Sequence, residues 1–281
     1  MCLAAFTIGQ SERFPFVLAS NRDEFFARAS QPLAWWRPSA GAAPILSGRD
    51  LTGGGTWIGL NAAGRLALVT NVRELGRQLL ASPSRGELVL QCLTHPHGDP
   101  QADLAALAQT PRNGFNLLTA DLAADLRAQP DRAVGHWVSN RPEVQGRVIG
   151  KGALGLSNAA LDTPWPKVRL LKQRLVQAVD CHQEQDALTG ELFAALLDPL
   201  PAPDADLPQT GLATERERQL SRAFIHIAGG ESGAYGTRCS TVVVVEALAG
   251  LRVVHVLERT YDATGREAGL HAERFELLAQ R

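Results

Sequence analysis

The chain has 281 residues, 45% of them hydrophobic, and a formal net charge of −1. That balance gives no reason to expect a nucleic-acid surface or a polybasic membrane patch, and the lack of any run of about 20 apolar residues argues against a membrane span. The apolar start is too short and too poor in basic residues for a secretory signal, and Cys2, Cys92, Cys181 and Cys239 are neither paired nor clustered, so a reducing, cytoplasmic location is expected, with no disulfide framework and no zinc knuckle.

Leu3 to Ile8 reads as a short buried strand and Phe16 to Ser20 as a second, with the polar turn Gly9 to Arg13 between them. Together they predict a hairpin with Cys2 at its open end. Residues 29–55, broken by Pro32, Pro38 and Pro44 and ending in Gly53-Gly54-Gly55, read as irregular. Thr56 to Leu60 and Leu66 to Thr70 predict another hairpin around Asn61-Ala62-Ala63-Gly64. The capping-box spacing Ser84-Arg85-Gly86-Glu87 opens a helix through Leu93, and residues 100–108 continue as a second helix. Phe115 to Ala120, residues 132–138 and residues 144–157 read as strands. Thr163-Pro164-Trp165 supplies a helix start with proline at the first helical position, and Val168, Leu171, Leu175 and Val179 then share one face. A further helix covers about 190–197. Residues 198–211, with Pro199, Pro201, Pro203 and Pro208, read as a surface loop, and Thr214-Glu215-Arg216-Glu217 as another capping box. Thr241 to Val245 is apolar at consecutive positions, which predicts cover on both faces. Ala249-Gly250 turns into a strand from Leu251 to Tyr261, and the last strand lies near Arg274 to Leu278. Strands at both ends with helices between them predict an α+β chain of two stacked sheets flanked by helices, with residues 1–281 as one domain.

The candidate chemistry centres on Cys2. Removal of the initiator methionine would leave a free α-amine on the residue that carries the thiol. Such an amine has a pKa of roughly 7.7–8.0, suited to taking a proton at neutral pH, and the thiol is intrinsically nucleophilic. Alone the dipeptide is a weak signal, because small residues commonly follow the start methionine. Asn21-Arg22-Asp23-Glu24 ends the second strand, and the hairpin would bring it beside Cys2. Asp23 could hold the α-amine, and Arg22 could pair with a substrate carboxylate or the thiolate; the plain alternative is a charged turn with capping duties. Asn71 and Asn158 follow apolar strands, where a side-chain amide could donate to a developing oxyanion or shape a turn. Arg238 enters a buried strand and needs a partner or a ligand. Trp35-Trp36 could wall an apolar pocket or a partner site, or pack as ordinary core. The glycine run at 53–55 lacks the Lys-Ser/Thr of a P-loop. His95-Pro96-His97 has no third ligand nearby, so no metal site is expected, and the lack of Cys-x-x-Cys-His excludes covalent haem.

Met1-Cys2, Ala19-Ser20-Asn21-Arg22-Asp23-Glu24, Gly54-Gly55-Thr56-Trp57-Ile58-Gly59, Leu68-Val69-Thr70-Asn71, Asn113-Gly114-Phe115-Asn116-Leu117, Gly155-Leu156-Ser157-Asn158, Thr163-Pro164-Trp165 and Tyr235-Gly236-Thr237-Arg238 occur in that order. The ordered set covers essentially the whole chain and resembles the NRDE family, named for the tetrapeptide at 21–24, which includes the eukaryotic transport and Golgi organisation protein 2 homologues. That family is in turn similar to the cysteine N-terminal nucleophile hydrolases, such as penicillin V acylase, bile salt hydrolase and ceramidase-like amidases. The resemblance implies a four-layer αββα sandwich, Cys2 as nucleophile and Asp23 as its partner. It further implies Asn71 and Asn158 as oxyanion or amine contacts and Arg238 as a late-chain arginine near the thiol. Those hydrolases usually carry an arginine three residues before the aspartate. Here that position is Ser20 and the nearby arginine is Arg22; the two share a strand face, so the guanidinium could come from the neighbouring position.

Two readings of function follow. In the first, the chain is an Ntn-type cysteine hydrolase that cleaves an amide, or less readily a thioester, of an acyl-bearing small molecule. Cys2 attacks, Asp23 orients the amine, Arg22 and Arg238 set the local charge, Asn71 and Asn158 contact the oxyanion or amine, and Asn21, Trp35 and Trp36 contact the substrate. No metal or cofactor is required. In the second, the same fold is a non-catalytic carrier that binds haem or an acyl lipid or acyl-CoA without a covalent bond. A protein scaffold is a third possibility, supported only by the tryptophan pair.

Overall fold

A computed structural model describes residues 2–76, 79, 82–95, 100–124, 134–230, 233–249 and 251–278. In chain order its elements are β1 (Cys2–Ile8), β2 (Phe16–Phe25), β3 (Ser30–Trp36), β4 (Ile45–Asp50), β5 (Ile58–Asn61), β6 (Arg65–Asn71), α1 (Gly86–Thr94), α2 (Pro100–Gln109), β7 (Phe115–Asp121), β8 (Gly135–Ser139), β9 (Gln145–Ile149), β10 (Gly152–Leu156), α3 (Pro166–Cys181), α4 (Gln185–Leu196), α5 (Thr214–Leu220), β11 (His226–Gly230), β12 (Gly233–Leu248), β13 (Leu251–Tyr261) and β14 (Glu267–Leu278). Among the described residues the strands form two seven-stranded sheets. The first runs β10-β1-β2-β12-β13-β14, with β11 paired to β12; the second runs β3 to β9 in sequence order.

Side chains alternate between the two faces of a strand, and here the central strands of both sheets are covered on both faces. Ala4, Phe6, Leu18, Val243 and Val254 of the first sheet meet Ile58, Leu66, Leu68, Leu118 and Trp137 of the second in a shared inner core. On the outer face of the first sheet, Leu3, Ala5, Val17 and Val244 pack under Val168, Leu171, Leu175 and Phe193 of α3 and α4. On the outer face of the second, Ala67, Val69 and Phe115 pack under Leu88, Val89, Cys92 and Leu104 of α1 and α2. The order of layers is therefore helix, sheet, sheet, helix, the expected αββα sandwich. Val242 to Val245 are all buried, as a strand covered on both faces requires. No described helix is long and apolar enough to cross a membrane.

Several elements differ from expectation. Residues 29–55 are not irregular: β3 and β4 lie there. Pro32 is tolerated because β3 ends its sheet and bulges between Gln31 and Ala34. At α1 the N-cap is Arg85, without a side-chain cap. Ser84 instead accepts the Gly86 N–H at 3.2 Å. The proline at the start of α3 is Pro166, after an N-cap at Trp165, rather than Pro164. The N-cap of α5 is Ala213, so Thr214 already belongs to the helix, and Glu217 forms an ion pair at 2.6 Å with Arg73. α4 starts at Gln185, β14 at Glu267, and β11 had no counterpart in the sequence reading. Of the strand expected at 132–138, residues 132 and 133 lie outside the described residues.

Candidate active site

The β1–β2 hairpin sets the site. Antiparallel register places Cys2 opposite Arg22 and Ala4 opposite Ser20. Alternation then puts Cys2 and Arg22 on the inner face with Ala4, Phe6 and Leu18, while Asn21 and Asp23 point to the helix side with Val17 and Ala19. Ser157 donates to the Cys2 carbonyl at 2.9 Å and ties β1 to the segment after β10. Cys2, only 8% exposed, lines a cleft of about 580 Å³ with Arg22, Trp57, Val69, Asn71, Arg85 and several acids. Burial pushes the Cys2 thiol up; Asp23 adds to the rise and Arg22 opposes it. Desolvation thus outweighs the opposing positive charges, of which the N-terminal amine is the largest and Arg22 the next.

Arg22 is held by stacking. Its guanidinium lies 4.3 Å from the centre of the Trp57 ring. A Cβ on Gly48 would fall 2.4 Å from that ring, so only glycine admits it there. Asp50 receives Arg28 at 2.8 Å and lies 3.9 Å from Arg22. The same carboxylate accepts the Thr52 and Gly53 N–H groups and closes the glycine-rich turn. That turn lines the cleft and touches the start of α1 so closely that a Cβ on Gly55 would sit 2.4 Å from the Gly86 carbonyl carbon. Arg85 enters the cleft from this helix start and donates to the Gly114 carbonyl at 3.1 Å.

Asp23 lies beneath this floor, 1% exposed. It accepts the Thr237 hydroxyl at 2.8 Å, and Tyr235 donates to its carbonyl at 3.3 Å. Burial raises its carboxyl pKa, with Lys167 as the largest opposing charge. Lys167, in the first turn of α3, is itself buried; desolvation lowers its pKa to about 8, against the pull of Asp23 and Glu217.

The remaining expected site residues are dispersed. Asn71 lines the cleft, and its carbonyl accepts the Asn158 amide at 2.8 Å. Asn158 is buried, accepts the Ser157 hydroxyl at 3.3 Å, and is not among the cleft-lining residues. Asn21 lies on the opposite face from Cys2: its amide donates to the Leu196 and Ala223 carbonyls at 2.8 and 2.9 Å and clamps the helix layer. A substrate contact from there is blocked by the sheet itself. Arg238 donates to the Phe25, Phe26 and Arg28 carbonyls and lines an adjoining cavity of about 180 Å³ rather than the Cys2 cleft. Trp35 packs edge-on against Phe275, and Trp36 donates to Ser47 at 2.8 Å; neither lines the cleft. His97 lies outside the described residues, among which no three His, Cys, Asp or Glu side chains gather as metal ligands. Sequence reasoning missed Trp57, Arg85, Asp50 and Lys167. Trp57 carried a signal as part of the motif at 54–59, and Lys167 another, since it shares a helix face with Leu171 and Leu175.

A family model for Transport and Golgi organisation 2 matches residues 1–263. The Transport and Golgi organization protein 2 homolog of Bos taurus is 34% identical over 250 residues, covering 83% of each chain. The Homo sapiens homolog is 34% identical over 247 residues, again covering 83% of each. Among solved structures, a mutant conjugated bile acid hydrolase from Clostridium perfringens matches with a TM-score of 0.47 at 8% identity, over 97% of this chain and 92% of that one.

Proposed function

This chain belongs to the Transport and Golgi organisation 2 family, and we propose that it cleaves an amide, or less readily a thioester, of an acyl-bearing small molecule with Cys2 as nucleophile. The observation that carries this reading is the Cys2 thiol at the floor of a cleft of about 580 Å³, paired in register with Arg22 and lying above a buried aspartate. With Met1 removed, the Cys2 α-amine takes the thiol proton as sulfur attacks the carbonyl carbon. Asn71 lines the cleft, and in this reading its side-chain amide donates to the oxyanion. Collapse breaks the carbon–nitrogen bond, the proton passes to the leaving amine, and Cys2 is left as a thioester. Water then attacks the thioester, releasing the acid and restoring the thiol. Asp23 fixes the strand end and the charge beneath it.

A carrier of haem or acyl lipid needs apolar walls. The cleft is lined mostly by charged and polar residues, and Trp35 and Trp36 stand outside it, so no specific observation favours that second reading. The test is turnover of a panel of N-acyl p-nitroanilides by wild type and Cys2→Ala, with intact mass measured on both. Loss of Met1, and a fall on the order of 10³-fold or more in Cys2→Ala, are expected. Equal rates in the two proteins, or a retained Met1 on an active enzyme, would overturn the nucleophile.

A further inference from the structure

We propose that the cleft contains a carboxylate subsite, with the Arg22 guanidinium and the Trp57 indole N–H as its donors and Arg28 and Arg85 supplying positive charge around it. This rests on the amide-cleaving reading for its place in the reaction, but the binding site stands on its own observations. Arg22 is 5% exposed and Trp57 8%. Arg22 Nη1 and Trp57 Nε1 are both buried and have no hydrogen-bond partner among the described residues. Buried donors are nearly always paired, so two unmet donors on stacked neighbours in one cleft wall call for an acceptor.

The acids around them are already engaged. Asp50 takes Arg28 and two backbone N–H groups. Glu87 pairs with Arg112 at 3.2 Å. Glu24 accepts the Phe25 N–H at 2.9 Å. Asp23 faces away, toward Thr237. Behind the Arg22–Trp57 wall, in the adjoining cavity, Glu258 accepts from Leu33 and Thr241. Arg85, by contrast, donates to a neutral carbonyl and makes no ion pair among the described residues. Asp50 also stands 3.9 Å from Arg22 Nη2, an ion pair without a hydrogen bond, which leaves Arg22 Nη1 and the Trp57 N–H as donors with no resident acceptor among the described residues.

A planar carboxylate suits this donor set, because guanidinium groups bind carboxylates through parallel hydrogen bonds. Its distance from the reacting carbonyl is also constrained. Cys2 and Arg22 are direct cross-strand partners, and adjacent strands lie roughly 4.7–4.9 Å apart. Both side chains leave neighbouring strands on the same face of the sheet, so a substrate that reaches both is short, with a few carbon atoms between its acid and its scissile carbonyl. The substrate class is thus a short amide that carries a free carboxylate, for which the monoamide of a dicarboxylic acid is the simplest form.

The probes are glutarate, its neutral diamide glutaramide, and inorganic phosphate, each titrated calorimetrically into Cys2→Ala, Cys2→Ala/Trp57→Phe and Cys2→Ala/Arg85→Gln. Trp57→Phe keeps an aromatic face under Arg22 and removes the indole N–H together with the pyrrole ring. We expect glutarate to bind the Cys2→Ala protein and to weaken by about tenfold on loss of either the indole N–H or the Arg85 charge, the size of one charge-assisted hydrogen bond. Glutaramide is expected not to bind. Equal binding of glutarate and glutaramide, tighter binding of phosphate, or unchanged glutarate affinity in both double variants would each overturn the subsite. Far-ultraviolet melting identifies a variant that fails to fold, and the other then decides. Because binding is read without turnover, the two claims separate: amide turnover without glutarate binding removes the subsite alone, and glutarate binding without turnover removes the nucleophile alone.

Discussion

Lys167 is a cation in a place that disfavours one. Its amine is buried and has no hydrogen-bond partner among the described residues, and its pKa falls to about 8 because desolvation exceeds the attraction of Asp23 and Glu217. Arg73 and Cys2 also bear on it, the first pushing its pKa down and the second up. The sign of the pH effect follows. Below about pH 8 the lysine is protonated in both the folded and the unfolded chain, and the folded state carries the full desolvation penalty. Between there and the unfolded value of about 10.4, the unfolded chain binds more protons, so stability rises with pH, by up to about 3 kcal/mol. The buried thiols of Cys92 and Cys239, pushed up by the same desolvation, lose stability over this range, so the effect is read by difference: the melting midpoint of wild type relative to that of Lys167→Met is expected to climb from pH 8 to 10. A difference that stays flat would place the burial cost in another group.

The contact between the β4–β5 turn and the start of α1 decides where Arg85 stands. Backbone meets backbone there, with a Cβ on Gly55 only 2.4 Å from the Gly86 carbonyl carbon. Gly55→Ala is expected to cost about 1–3 kcal/mol by overpacking and to weaken glutarate binding, because α1 must retreat and carry Arg85 with it. Gly190→Ala in α4, where a new Cβ meets open space, is the control; it should stabilise by about 0.5–1 kcal/mol. Chemical denaturation of both variants checks the pair. The same contrast explains what the sequence could disclose. β1, β2, β5, β6, β7 and the centre of β12 announce themselves, since their apolar residues are local and dense. β3 does not, and β14 does so only over its last residues near 274–278, because each ends a sheet and presents an exposed face. In the site, Cys2, Arg22 and Asp23 were legible because one hairpin register joins them. Asn21 was assigned to the cleft although strand parity with Val17 and Ala19 already placed it on the far side. Trp57 and Arg85 reach the cleft only through packing of the second sheet and its helix, which no short stretch of sequence encodes.

At the scale of the molecule, β2 lies between β1 and β12, and through them it joins the two ends of the chain. Deleting residues through Ser20 removes β1 and half of β2, and with them the inner side of two cores. Such a truncation is expected to abolish cooperative melting, as measured by calorimetry; a transition kept near the intact midpoint would show that the rest folds as an independent unit. The order of pairing also has a consequence for biosynthesis. Phe16 pairs with Val245 and Ser20 with Thr241, so a nascent chain on the ribosome carries the β1–β2 hairpin with one apolar edge open until almost all of its sequence has been translated. Such an edge invites pairing with other chains, and contacts of this sequence separation form slowly. The hairpin that bears Cys2 is thus made before β12 and enclosed only after it, and during that interval the Cys2 thiol is open to chemistry that the finished cleft, where it is 8% exposed, would shut out.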